Sequence, residues 1–196
     1  MATDSQIDKR RGRLVLVVGP SGVGKDSLLD AARAALKNDP AAGPGVVFPR
    51  RVVTRAPGLP GEDYIAMSEA DFAAAQARGD FALHWPAHGL HYGIPKQIEA
   101  DLAAGREVVV NVSRTVLDDA RKRYPGLLVL LINASPDILR QRLLGRGRES
   151  PAEIEERLQR AAAFTLSGSD VVRLDNDGPL AETAARFVDL LKRRPQ

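Results

Sequence analysis

No cysteine occurs among the 196 residues, which excludes disulfides and thiolate-bound metals. No apolar run approaches the length of a membrane span, and Met1 to Arg11 is polar where a signal peptide would carry an apolar core. Histidine is scarce: His84, His88 and His91 lie in one short window, with a spacing that matches no metal site. There is no internal repeat. Net charge is only +3, and the arginines cluster rather than spread. That distribution suits a small polyanion in a cleft better than a nucleic-acid backbone. These absences lead to the expectation of a soluble cytoplasmic protein with neither nucleic acid nor membrane as partner. No pattern in the sequence specifies an oligomeric state.

What is present is the composition of a globular domain, 44% hydrophobic and 27% charged, in a chain long enough to bury a full core. Residues 1–12 read as a disordered lead-in and 13–196 as one domain. The chain is organised around Gly19-Pro20-Ser21-Gly22-Val23-Gly24-Lys25-Asp26-Ser27. The apolar run Leu14 to Val18 precedes it, and Leu28, Leu29, Ala32, Ala35 and Leu36 follow at helical spacing. Strand, glycine loop and amphipathic helix in that order are the context of a phosphate-binding P-loop. Glycines let successive backbone N–H groups turn inward around a polyphosphate, and the helix N-terminus adds its positive end. Lys25 supplies a cation for the β- and γ-phosphates of ATP. The Ser or Thr that usually follows the lysine as magnesium ligand is replaced by Asp26, with Ser27 next. Asp26 and Ser27 are the candidate Mg2+ ligands, since hard cations prefer oxygen. Asp26 also has the simpler reading of a first-turn carboxylate that favours the helix dipole.

Further along, Val46 to Val53 reads as a short strand and Thr54 to Asp63, rich in proline and glycine, as an exposed loop. Ser68 to Asp71 opens a short helix that ends near Gly79. Phe81 to Leu83 reads as a brief strand, His84 to Gly93 as a loop, and Pro95 to Ala104 as a helix stopped by Gly105. Buried strands at Val108 to Val110 and Leu127 to Ile132 alternate with helices at 114–123 and 137–144. Ser150-Pro151-Ala152-Glu153 forms a capping box at the head of another helix, and a last strand, 171–174, precedes a closing helix. The expected class is α/β: a P-loop NTPase fold with a parallel sheet flanked by helices. Residues 46–93 break that rhythm and read as a small acceptor-binding lobe, and 145–150 as an arginine-bearing lid.

Six arginines lie between 140 and 160. Some are expected to be surface salt-bridge partners of Glu153, Glu155 and Glu156, which contribute little. Arg146 and Arg148 sit between or beside glycines, where a mobile guanidinium can cover a transferring phosphate. Arg55 enters the Pro/Gly loop where it can grip an acceptor phosphate. For Arg50 and Arg51 an acceptor role and a basic sheet edge stand even. One or two of the histidines are expected to line the acceptor pocket, with the rest beside Trp85.

Gly19 to Lys25, Thr54-Arg55, Tyr92-Gly93, Leu102 to Gly105 and Leu143 to Gly147 together resemble the guanylate kinases from Arg13 onward. The resemblance places the phosphate-contacting arginines at Arg142, Arg146 and Arg157, the acceptor-phosphate arginine at Arg55 and a phosphate-binding tyrosine at Tyr92. It also brings Asp175 to Gly178 near adenine, with a simple turn as the equally good alternative. The guanine-reading positions depart from the pattern: a glutamate becomes Leu83, a Ser or Thr becomes Ile94, and an aspartate becomes Ser113. Apolar side chains cannot pair with the edge of a base. His88 to Pro95, Val110 to Arg114 and Gly145 to Glu149 are similar to the ribose 1,5-bisphosphate phosphokinases within that family. That similarity implies ATP-dependent conversion of ribose 1,5-bisphosphate to 5-phosphoribosyl 1-diphosphate, in bacterial phosphonate breakdown. An acceptor with two phosphates gives His91 and Arg114 a binding role. The alternatives are a guanylate or other nucleoside-monophosphate kinase, and a non-catalytic guanylate-kinase-like interaction module; such modules tend to lose the P-loop lysine or lid arginines, and both are kept here.

Overall fold

The computed structural model describes residues 11–37, 45–57, 63–147 and 149–193, with Arg146 described as backbone only. The expected lead-in therefore falls almost wholly outside the described residues, as do 58–62 of the Pro/Gly loop and Arg148. In chain order the elements are β1 (Leu14–Val18), α1 (Lys25–Lys37), β2 (Val46–Val47), β3 (Arg51–Val53), β4 (Tyr64–Ala66) and α2 (Glu69–Arg78). There follow β5 (Phe81–Ala87), β6 (Leu90–Pro95), α3 (Ile98–Ala103), β7 (Glu107–Asn111), a 3-10 turn (Arg114–Val116), α4 (Leu117–Arg123) and β8 (Leu128–Asn133). The chain ends with α5 (Pro136–Arg146), α6 (Pro151–Ala162), β9 (Val171–Asp175) and α7 (Leu180–Lys192). One sheet has the order β2-β7-β1-β8-β9, and a second has the order β4-β3-β6-β5. In the first, β2 runs parallel to β7 and β8 parallel to β9. The Leu-Val-Leu-Val-Val strand β1 is buried at all five positions, as expected of a strand covered on both faces.

The chain divides into two compact units, Met1–Leu16 with Pro44–Leu128, and Val17–Gly43 with Val129–Gln196. In the second, α1 packs on α7. The inward stripe of α1 is Leu28, Leu29, Ala32 and Leu36, without the expected Ala35; that of α7 is Ala184, Phe187, Val188 and Leu191. A separate cluster of Leu139, Leu143, Ile154 and Leu158 joins α5 to α6. The head of α6 is the expected capping box: Ser150 Oγ accepts from the Glu153 backbone N–H while the Glu153 carboxylate accepts from Ser150 N–H at 2.8 Å. The bond from Ser150 N–H foremost, and a second donated by Ser150 Oγ to the same carboxylate at 2.8 Å, hold the Glu153 carboxyl below its usual range.

In the first unit the four-stranded sheet has α2 on one face, through Val52, Phe72, Ala75 and Phe81. Ser68 caps α2 by accepting from Asp71 N–H, and Gly79 ends it in the left-handed region at φ 76°. Three sequence expectations change here. His84 to Gly93 is a hairpin rather than a loop: β5 and β6 pair antiparallel around His88-Gly89, with φ of 52° and 71°. Positive φ at both central residues is the turn that matches strand twist. Pro86 escaped the strand reading because proline removes a ladder donor, but β5 is an edge strand, where that is tolerated. Val46 to Val53 is two strands in different sheets, and β4, which pairs with β3, was not foreseen. Finally, β6 continues through Pro95, so α3 begins only at Ile98.

Candidate functional site

In the second unit the glycine loop closes on itself. Lys25 Nζ donates to the carbonyl oxygens of Gly19 and Pro20, at 2.8 and 3.0 Å. Gly19, at φ 153°, lies so close to β8 that a Cβ would stand 2.3 Å from Ile132 O. A Cβ on Gly24, at φ 94°, would stand 2.8 Å from Asn176 Nδ2. Asp26 and Ser27 are exposed in the first turn of α1.

Arg142 and Asn176 brace this loop. The Arg142 guanidinium donates to Val23 O at 3.1 Å and to Asn176 O at 2.7 Å, and Asn176 Nδ2 donates to the same Val23 O at 2.8 Å. Asn176 is buried, and its Oδ1 has no hydrogen-bond partner among the described residues. Arg157 donates to Ser21 Oγ at 2.9 Å and pairs with Glu149 at 3.2 Å. Two of the three arginines expected at the phosphates thus meet the P-loop itself, from α5 and α6. Arg146 ends α5, two residues beyond the expected helix end at 144, and Gly147 closes that helix at φ 60°. The other arginines divide as surface partners should: Arg140 pairs with Glu155 and Arg160 with Glu156, all four exposed. Beside Asn176, Asp175 is held below the ordinary aspartate range, first by its hydrogen bond from Arg173.

In the first unit, register sorts the expected acceptor residues by face. Trp85 pairs across from Tyr92, Leu83 from Ile94 and Val53 from Tyr92. Directly opposed residues share a face and successive residues alternate. Leu83, Trp85, Tyr92, Ile94 and Val53 therefore lie on one face, with Arg51 two residues from Val53 and Tyr64 opposite Arg51. The rings of Trp85 and Tyr92 stack at 5.5 Å and 7°. The Arg51 guanidinium lies 5.4 Å from the Tyr92 centroid, and that of Arg55 lies 5.7 Å from the Tyr64 centroid. The Tyr64 hydroxyl donates to Ala56 O. Leu83 and Ile94, at two of the positions where guanine readers were expected, are a buried cross-strand pair, 3% and 0% exposed.

His91, expected with Tyr92 at the acceptor, lies on the opposite face of β6 from Tyr92, its ring 5.5 Å from Phe72 of α2. Adjacent strand residues cannot both point to one side. His84 likewise alternates away from Trp85, and His88 sits in the hairpin turn. Arg50 pairs with Asp63 at 3.4 Å, an exposed contact. Arg114 opens the 3-10 turn after β7 and is exposed. Sequence reasoning left Arg51 undecided; its place on the Tyr92 ring, with Nη1 donating to Asn111 O at 3.1 Å, comes from a β3–β6 register that no local pattern encodes. The described residues contain no group of three His, Cys, Asp or Glu that could hold a metal, and no helix long and apolar enough to cross a membrane.

The sequence profile of guanylate kinase matches residues 11–189. The "Ribose 1,5-bisphosphate phosphokinase PhnN" of Azotobacter vinelandii is 50% identical over 183 residues, covering 93% of this chain and 97% of that protein. The protein of the same name from Brucella melitensis is 47% identical, with 93% of each chain covered. Among solved structures, guanylate kinase from Anaplasma phagocytophilum superposes with a TM-score of 0.63 at 19% identity, over 94% of this chain and 86% of that one. With a glycine cradle braced by arginines, a parallel sheet and a match over nearly its whole length, the chain belongs to the guanylate kinase family.

Proposed function

We propose that this chain is a kinase that transfers the γ-phosphoryl group of ATP to the 1-phosphate of ribose 1,5-bisphosphate. The products are 5-phosphoribosyl 1-diphosphate and ADP. One observation carries the choice of acceptor: the phosphate-handling residues are kept while Leu83 and Ile94 form a buried apolar pair where a purine reader would need polar groups. The two named relatives, about half identical, carry that activity in their names.

The chemistry asks little of the protein beyond position and charge. An oxygen of the acceptor 1-phosphate attacks the γ-phosphorus, the bond to the β,γ-bridging oxygen breaks, and its electron pair leaves with ADP. The nucleophile is already anionic, so no general base is required. Lys25 exchanges its two carbonyl partners for β- and γ-phosphate oxygens. Arg142, Arg146 and Arg157 neutralise the charge of the transition state. Arg142 already holds the cradle in shape through Val23 and Asn176, and Arg157 already touches Ser21. Arg55, Tyr92 and Arg114 hold the acceptor. Asp26 and Ser27 are exposed hard-oxygen donors beside the cradle and fit a magnesium ion, which when bound offsets the charge of the triphosphate.

The test is an ADP-release assay with ribose 1,5-bisphosphate, GMP and AMP side by side. The expected result is turnover with the sugar bisphosphate and a kcat/KM at least about 100-fold lower with either nucleotide. Equal or faster turnover of GMP or AMP would establish a nucleoside-monophosphate kinase instead, and the absence of ATP binding by calorimetry would establish an interaction module.

A further inference from the structure

An acceptor that ends in two phosphates needs two anion sites, and the function proposed above, on which this inference rests, gives one to Arg55 and leaves Arg114 on the acceptor without assigning it to either phosphate. We infer that Arg51 is the second: it binds the acceptor phosphate that does not react, and so sets the preference for a sugar bisphosphate over a sugar monophosphate.

The sheet builds two matching stations. Arg51 lies on Tyr92, and Arg55 lies on Tyr64, the residue directly opposite Arg51 in the β3–β4 register. Both tyrosines belong to the face that carries Leu83 and Ile94. Arg51 is the more rigidly placed. Its ring partner Tyr92 is itself stacked on Trp85, and Nη1 is tied to Asn111 O at the end of β7. Stacking engages the flat side of a guanidinium, and its fork of N–H groups is the geometry suited to a phosphate. A half-buried cation that is already ordered loses little rotamer freedom on binding. Its neighbour Arg50 shows the contrast, turned out to solvent against Asp63. With the wall of that face apolar at Leu83 and Ile94, discrimination among phosphorylated sugars falls to the cations.

The experiment compares ribose 1,5-bisphosphate with ribose 1-phosphate, which lacks the second phosphate, for the wild type, Arg51→Gln and Arg51→Lys. The wild type is expected to prefer the bisphosphate. Arg51→Gln is expected to raise KM for the bisphosphate by about 10- to 100-fold, the loss typical of a charge-assisted hydrogen bond, with kcat little changed and the preference over ribose 1-phosphate abolished. Arg51→Lys, which keeps charge but not the fork, should recover part of that preference. An unchanged KM for ATP reports that each variant is folded. If Arg51→Gln keeps the wild-type ratio of kcat/KM for the two acceptors, or loses both equally, the assignment of Arg51 is wrong while the kinase reading survives. If the wild type itself fails to use ribose 1,5-bisphosphate, the functional reading falls and this inference with it.

Discussion

Three cations in the second unit hydrogen-bond to the glycine loop. Lys25 lies against Gly19 and Pro20, Arg142 against Val23, and Arg157 against Ser21. Neutral carbonyls and hydroxyls are weaker partners for a cation than phosphate oxygens, so these contacts keep the side chains ordered at small cost to later binding. Lys25 is the one whose removal tests the proposed chemistry most cleanly, because its charge meets the transferring group itself. Lys25→Ala is expected to lower kcat roughly a thousandfold or more while the protein stays folded. Single-turnover rates at saturating ATP check this, and near-normal turnover would end the assignment. The P-loop motif for Lys25, and the family resemblance for Arg142 and Arg157, led to the expectation that these three meet phosphate. Neither showed that Arg142 bridges Val23 and Asn176, since those partners lie 119 and 34 positions away.

Among the elements, helix boundaries were the most legible because their signals are local. Ser68 and Gly79 bracket α2, and Ser150, Pro151 and Glu153 open α6, each within one turn of the residue that the signal concerns. The β5–β6 hairpin was not legible. His88 is a rare non-glycine residue at positive φ, Pro86 discourages a strand, and the alternation is visible only once Trp85 and Tyr92 are known to oppose each other. The same alternation puts His91 on the opposite face from Tyr92, although the two are neighbours in sequence. Helix α6 carries a pH prediction. Glu153 titrates below its ordinary value when folded, so its stabilising effect is complete above the ordinary carboxylate range and fades as pH falls through the lowered value. Ser150→Ala removes part of that cause. Urea unfolding from pH 7 down to pH 3 should show the variant less stable at neutral pH and less sensitive to acid; identical slopes on the acid side would contradict the capping account.

Taken as a whole, the molecule was readable in proportion to how far each feature depends on distant partners. The strand–glycine loop–helix order named the fold, since a P-loop is contiguous and its apolar flanks can only be a buried strand and an amphipathic helix. The proposed acceptor side draws on β3, β4, β5 and β6, whose register decides which residues share a face, so the place of Arg51 on the Tyr92 ring emerged only with the strands paired. An apolar pair at Leu83 and Ile94 and a glycine loop braced by cations lie behind the proposed function, whose central claim is chemical: the acceptor is a phosphate on a sugar, not on a nucleoside. The most direct measurement is 31P NMR of the reaction of ATP with ribose 1,5-bisphosphate. The account predicts that one of the two acceptor monoester signals is replaced by a pair of coupled diphosphate signals while the other persists, with ADP formed in equal amount. Two monoester signals that remain unchanged while GMP in the same mixture is converted to its diphosphate would contradict it.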